Sequence, residues 1–222
     1  MTTTLINHFS DTLCIWAYVA HVRVEELHKQ LAAQVRIEHH FIDVFGSTEK
    51  KIGVGWKDRG GFEAYADHVA QVAAGFPHVE LHPDAWRGCR PRSSGTSHLF
   101  LKAVQLLEQG GEIPARVEEV AWSMRLAFFR DARDIGELGV LHEIGTDLEL
   151  PSAAIDRLLS GGAAHAALSE DARLRESFRV EGSPTYVLNE GRQKLYGNVG
   201  YRIIEANVME LIDVPEGRAS WC

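Results

Sequence analysis

Apolar and polar positions change their period twice along the chain. Near the N-terminus an apolar run extends from Leu5 to Leu13, and its first part, Leu5 to Phe9, has the length and composition of a strand. A helix opens near Cys14 and continues through Val22 to Gln34, after which Val35 to Val44 alternates as a second strand. The beginning is therefore βαβ. Glycines 46, 53, 55, 60 and 61 surround Trp56-Lys57-Asp58-Arg59, so 46–61 reads as a loop, and the next helix spans Phe62 to Ala74.

From Pro77 to about Pro91 no period is visible. Helical spacing then returns: Ser93 or Ser94 caps a helix to about Gln109, and Gly110-Gly111 stops it. Pro114 suits the first turn of a helix through Arg130, Asp134 caps another to about Asp147, and Pro151-Ser152 begins a short one that ends at Gly161-Gly162. Ala163 to Phe178 is the last helix of this block. The period then returns to two, with strands at Thr185–Asn189 and Gln193–Tyr196 around the turn Asn189-Glu-Gly191, before a closing helix from Tyr201 to Ile212.

Composition narrows the functional classes. A chain of 222 residues with 45% hydrophobic content forms one large domain or one domain with an insertion. A formal charge of −8, without a clustered excess of Lys and Arg, excludes nucleic acid as the main partner. No segment calls for a membrane span. The N-terminal residues have neither a basic region nor a long apolar core, so no signal peptide is read and a cytoplasmic location is expected. Three widely spaced cysteines make no disulfide framework and stay mostly reduced in a cytosol.

Candidate chemistry centres on Cys14. A thiol at a strand-to-helix junction meets the positive end of the helix dipole, which is expected to lower its pKa and favour the nucleophilic thiolate. The alternative is a buried cysteine packing as a small hydrophobe. Three residues on, where a redox partner would stand, is Ala17. Other groups carry plainer readings. His78 and His82 are separated by an extended segment before Pro83, so no metal site is expected there. His39 and His40 point to opposite faces of a strand. Ser93-Ser94-Gly-Thr-Ser-His98 reads as a helix cap beside an exposed histidine, and the Glu and Arg runs of 116–137 as solvated helix faces.

Two motifs together resemble a known family. Phe9-Ser-Asp-x-x-Cys14-x-Trp16 and Val180-Glu-Gly-Ser-Pro184-Thr-Tyr-Val-Leu-Asn189 are similar to the DsbA-like branch of the thioredoxin superfamily. That branch includes FrnE-type oxidoreductases, 2-hydroxychromene-2-carboxylate isomerases and kappa-class glutathione transferases. The resemblance implies an α/β thioredoxin fold with an inserted all-helical subdomain: 1–50 and 178–222 form the thioredoxin-like domain and 51–177 the helical insertion. It also implies a cis peptide before Pro184 beside Cys14, with the backbone of Ser183 facing an incoming peptide or glutathione. Cys14 is then the catalytic residue, and Trp16, Ser183, Pro184, Asn198 and Tyr201 contact substrate or thiol. The stretch Gly197-Asn-Val-Gly-Tyr201 lies where relatives hold the glutamyl end of glutathione, although Asn198 also reads as a simple helix cap.

Ala17 departs from the dithiol pattern, since alanine cannot resolve a mixed disulfide from within. The expected activity is thiol-disulfide exchange through a mixed disulfide of Cys14 with a small thiol or protein. The alternatives are a glutathione-dependent isomerase or transferase and a non-catalytic peptide-binding module. Cys89 and the terminal Cys222 are remote candidates for resolving a mixed disulfide. No tightly bound cofactor and no metal are expected; glutathione or another small thiol serves as cosubstrate, the partner is a disulfide or an electrophile, and a homodimer is compatible with the sequence.

Overall fold

The computed structural model describes residues 3–213. Its sheet is built around β1 (Thr4–Ser10), which pairs in parallel with β2 (Val35–Phe41) from Thr4↔Val35 to Ser10↔Phe41. On its other side β1 runs antiparallel to β3 (Thr185–Leu188), and β3 to β4 (Gln193–Tyr196), giving the order β2-β1-β3-β4. α1 (Ile15–Leu31) connects β1 to β2, and α8 (Tyr201–Asp213) follows β4. Alternation along β1 sends Ile6 toward α1 and α8, where it packs with Val24, Leu27, Ile204 and Val208. Phe9 points the opposite way, toward Val180 and Phe178.

Between the two ends lie α2 (Gly61–Ala74), α3 (Gly95–Gln109), α4 (Val117–Phe129), α5 (Leu138–Asp147), α6 (Ser152–Ser160) and α7 (Ala163–Ser177). The arrangement is a thioredoxin-like fold with a mixed four-stranded sheet and many helices. Several element boundaries move for local reasons. β2 stops at Phe41 because Val44 N–H turns back onto Ile42 O. α1 stops at Leu31, where Gln34 N–H caps the Leu31 carbonyl. Residues 46–61 are not all loop: Glu49–Val54 form a π-helical turn, with Gly55 N–H reaching Lys50 O, and Lys57–Arg59 form a 3₁₀ turn. α4 starts at Val117 rather than Pro114, because the Glu108 carboxylate accepts the Arg116 and Val117 amides and so caps the helix there. Asp134 accepts from Gly136 N–H at 2.8 Å, which makes a turn and delays α5 to Leu138.

A buried ionic knot ties α7 to the sheet. The Asp171 carboxylate accepts from Phe41 N–H at 2.8 Å and Lys102 Nζ at 3.0 Å, and lies 2.9 Å from His40 Nδ1. His40 Nε2 is 2.9 Å from Asn7 Oδ1 on β1. Removing the central anion would leave a buried ammonium without its counter-charge, held only by Gln105 Oε1 at 2.7 Å, and a strand amide unpaired. Asp171→Ala is therefore expected to cost about 3–5 kcal/mol in urea unfolding, and a loss below about 1 kcal/mol would show that the knot contributes little net stability.

Candidate active site

Cys14 is the N-cap of α1. Its carbonyl accepts the Ala17 and Tyr18 amides, each at 3.0 Å, so the sulfur stands where the helix begins. The thiol donates to Ser183 O at 3.3 Å, and the Ser183–Pro184 peptide is cis. Cys14 and the Ser183-Pro184 loop are thus neighbours, as the resemblance implies.

The electrostatics correct one expectation. Cys14 is only 5% exposed, and burial pushes its thiol up from the ordinary cysteine range. Ser183 and the helix-start amides of Ala17 and Trp16 pull it down, while the Asp11 charge adds to the upward push. The helix-start amides act in the expected direction, but loss of solvation outweighs them.

Asp11 organises the approach to the sulfur. One carboxylate oxygen accepts from Leu13 N–H at 2.9 Å, a local turn of the kind aspartate favours. The other accepts from Phe45 N–H at 2.8 Å and Ser94 Oγ at 2.9 Å. The Asp11 amide donates to Ser183 Oγ at 2.9 Å. The next residue is held as well: Thr12 N–H donates to His98 Nε2 at 3.3 Å, and Thr12 Oγ1 lies 2.7 Å from Ser97 Oγ. His98 is 1% exposed, not the exposed histidine the sequence suggests, because the Thr12 amide and the Phe41 ring enclose it. Ser94 does precede α3, but its hydroxyl is spent on Asp11, and it is Ser93 Oγ that accepts the Gly95 amide at 2.9 Å.

Of the remaining candidates, Ser183 and Pro184 are buried beside Cys14, and Trp16 is half-buried against Phe76. Asn198 is exposed, one residue after Gly197, whose amide donates to Pro184 O at 2.8 Å. Tyr201 is not brought to Cys14. Its hydroxyl donates to Glu205, and it feels Glu26, which lies twelve residues or about 18 Å down α1 from the thiol.

The structure adds Tyr65 and Tyr196, which the sequence did not single out, and places the Trp56–Arg59 turn. Tyr65 is buried close enough for the charges of Cys14 and Asp11 to act on its hydroxyl. Trp56 packs edge-on against Tyr65 at 5.0 Å, with Arg59 over its ring, while Lys57 is exposed. Tyr196 is 62% exposed and lies so close over Gly182 that a Cβ there would come within 2.8 Å of its hydroxyl. The 116–137 runs are not uniformly solvated either: Arg125 is buried, and Glu118 turns inward to His28 Nδ1 at 2.7 Å, which holds its carboxyl below the usual range despite burial.

Cys89 is half-buried in the turn closed by its own amide on Asp84 O, and burial with nearby Asp134 and Asp84 pushes its thiol up to about 11. Cys222 lies outside the described residues. Among the described residues, no group of three or more His, Cys, Asp or Glu is placed to hold a metal ion, and no helix is long and apolar enough to cross a membrane. His78 Nε2 instead meets Val19 O at 3.0 Å, and His82 Nδ1 accepts the Asp84 amide.

Solved structures share this fold over nearly their whole length. A probable DsbA oxidoreductase from Streptomyces coelicolor is 18% identical with a TM-score of 0.72, covering 99% of this chain and 93% of its own. The cytosolic disulfide reductase DsbM from Pseudomonas aeruginosa is 20% identical with a TM-score of 0.66, covering 92% and 98%; it is also known in a structure with GSH. A 2-hydroxychromene-2-carboxylate isomerase is 14% identical with a TM-score of 0.65, covering 97% and 100%. No curated protein matches the sequence. The description "DSBA-like thioredoxin domain" matches residues 5–208, and with Cys14 at the helix start beside Ser183-Pro184, the chain belongs to the DsbA-like thioredoxin-domain family.

Proposed function

We propose that this protein is a cytoplasmic thiol-disulfide oxidoreductase that works through its single cysteine, Cys14, with glutathione or another small thiol as cosubstrate. The observation that carries the reading is the placement of Cys14 at the α1 start, in contact with Ser183 and without a second sulfur at position 17. In the first step the Cys14 thiolate attacks one sulfur of a substrate disulfide, forms a mixed disulfide and expels the other sulfur as a thiolate. A glutathione thiolate then attacks the Cys14 sulfur and releases the second substrate thiol. A second glutathione thiolate attacks the glutathionyl sulfur, which returns Cys14 as thiolate and leaves glutathione disulfide. One disulfide is reduced and two glutathiones are oxidised, with no internal cysteine consumed.

A second reading draws on the upward push on the Cys14 thiol. A protonated Cys14 suits an anchor that orients bound glutathione for addition to an electrophilic carbon, as in a glutathione-dependent isomerase or transferase. The two readings separate by mass spectrometry of the protein after exposure to glutathione disulfide. A glutathione adduct mapped to Cys14 rather than Cys89, and reversed by reduced glutathione, is the expected result. Saturable glutathione binding without an adduct would favour the second reading, and neither response would leave a peptide-binding module.

A further inference from the structure

α4 lays a single stripe along α1, at the spacing that keeps side chains on one helix face. Glu118 meets His28, Trp122 stacks on His21 and Tyr18, and Phe129 stacks on Tyr18 nearer the start of α1. Arg125 belongs to this stripe. It is 3% exposed, and its Nη2 donates to Ser10 Oγ at 3.0 Å, on the residue that precedes the Asp11–Cys14 loop. Its Nε has no hydrogen-bond partner, and no carboxylate among the described residues lies within ion-pair distance of its guanidinium.

A buried guanidinium without a paired anion is expensive, and a leucine or methionine would fill the same space at lower cost. Two groups at the loop that Ser10 leads into can hold a negative charge that acts on it, Asp11 and, once ionised, Cys14. The Asp11 oxygens are already occupied by Leu13, Phe45 and Ser94, with His98 Nε2 of α3 3.7 Å from one of them and Tyr65 of α2 also facing Cys14 and Asp11. Cys14 is the group whose charge changes when the site reacts. The other titratable groups around Arg125 are His8 and Asp11 on and after β1, His21 on α1, Glu118 on α4 and Tyr186 on β3, with His39 of β2 behind His8. Burial holds His8 and His21 well below the usual histidine range, His21 down to about 3, so neither adds a competing positive charge at neutral pH.

We propose that Arg125 is the internal counter-charge of the Cys14 thiolate, a positioning residue that acts on the sulfur from beneath the loop. The proposal rests on Cys14 reacting as a thiolate. Its consequence concerns release. In a mixed disulfide the sulfur is neutral and Arg125 has lost its partner; when glutathione attacks and Cys14 departs as a thiolate, the pairing returns. A sulfur that leaves readily favours the release step, which this chain, with Ala17, cannot drive by internal attack.

The test is the pH dependence of Cys14 alkylation by iodoacetamide in a background with Cys89→Ser and Cys222→Ser, with folding checked by circular dichroism. Arg125→Met and Arg125→Gln are expected to move the profile to higher pH by about one unit and so slow alkylation at neutral pH about tenfold. The equilibrium constant of the glutathione mixed disulfide should rise in the same variants. Arg125→Lys, which keeps the charge, should restore most of the profile. Ser10→Ala removes the anchor and leaves Arg125 in place, and its profile should move in the same direction by a few tenths of a unit. An unshifted profile in the folded neutral variants, or in Ser10→Ala should neither neutral variant fold, overturns the proposal. Alkylation needs no disulfide substrate, so absence of turnover in the unaltered protein would count against the oxidoreductase reading and leave this result interpretable.

Discussion

Cys14→Ser is expected to reduce glutathione-dependent reduction of a disulfide substrate by at least about a thousandfold, to the uncatalysed rate. A hydroxyl at the same place is a poor nucleophile toward sulfur, and no other described thiol is equipped to substitute. Cys89 is the remaining free cysteine among the described residues, and its thiol is pushed up to about 11. The complementary change is Ala17→Cys. Residues three apart at a helix start have Cα atoms within the range a disulfide needs, and Ala17 sits on the turn whose amide caps the Cys14 carbonyl. That variant should oxidise to an internal 14–17 disulfide and should no longer accumulate the glutathione adduct, since the second sulfur resolves it. Both outcomes are read by intact mass and a turnover assay. Full activity in Cys14→Ser would end every reading that makes this sulfur the nucleophile.

The largest effect on stability at the site should come from Asp11→Ala. The substitution strands three donors at once: the Leu13 and Phe45 amides and the Ser94 hydroxyl, each now paired at 2.8–2.9 Å. A buried donor left unsatisfied costs about 1–3 kcal/mol, so a loss of about 3–5 kcal/mol in urea unfolding is expected after partial relaxation and water entry. Asp11→Asn keeps one acceptor oxygen and should lose roughly half as much. The two variants also separate structure from charge. Asp11 adds to the upward push on the Cys14 thiol, so Asp11→Asn, if folded, should alkylate faster at neutral pH than the unaltered chain. A slower Asp11→Asn would mean that the hydrogen-bonded shape of the loop outweighs its charge.

The outline of this site was readable where the signal is local. Cys14 opens a helix after an apolar strand, and Gly-Ser-Pro184 precedes a strand, so each motif carries its own context within ten residues. The hairpin around Asn189-Glu-Gly191 was readable for the same reason. The supporting residues were not, because their meaning lies with distant partners. Ser94 is 83 residues from Asp11, His98 is 86 from Thr12, and Arg125 is 115 from Ser10. Each has an ordinary local reading as a cap, a surface ring or a solvated helix charge. Tertiary contacts override those readings, since a serine hydroxyl offered a buried carboxylate bonds to it in preference to its own helix amides. For the thiol itself, the helix start is visible in the sequence, but the depth of burial that opposes it is not, because it depends on distant elements packed over Cys14.

The hydrogen bond from Cys14 to Ser183 spans 169 residues. A ribosome makes chains from the N-terminus, so Cys14 emerges early and the residue its thiol donates to emerges late. Until Ser183 has been made, Cys14 lacks the carbonyl to which its thiol donates. Docking of β3 on β1 brings the Ser183-Pro184 loop to the sulfur, and β4 then completes the sheet. Synthesis order thereby makes the Ser183 contact a late one, and a chain that stops short of Ser183 carries Cys14 without its hydrogen-bond acceptor.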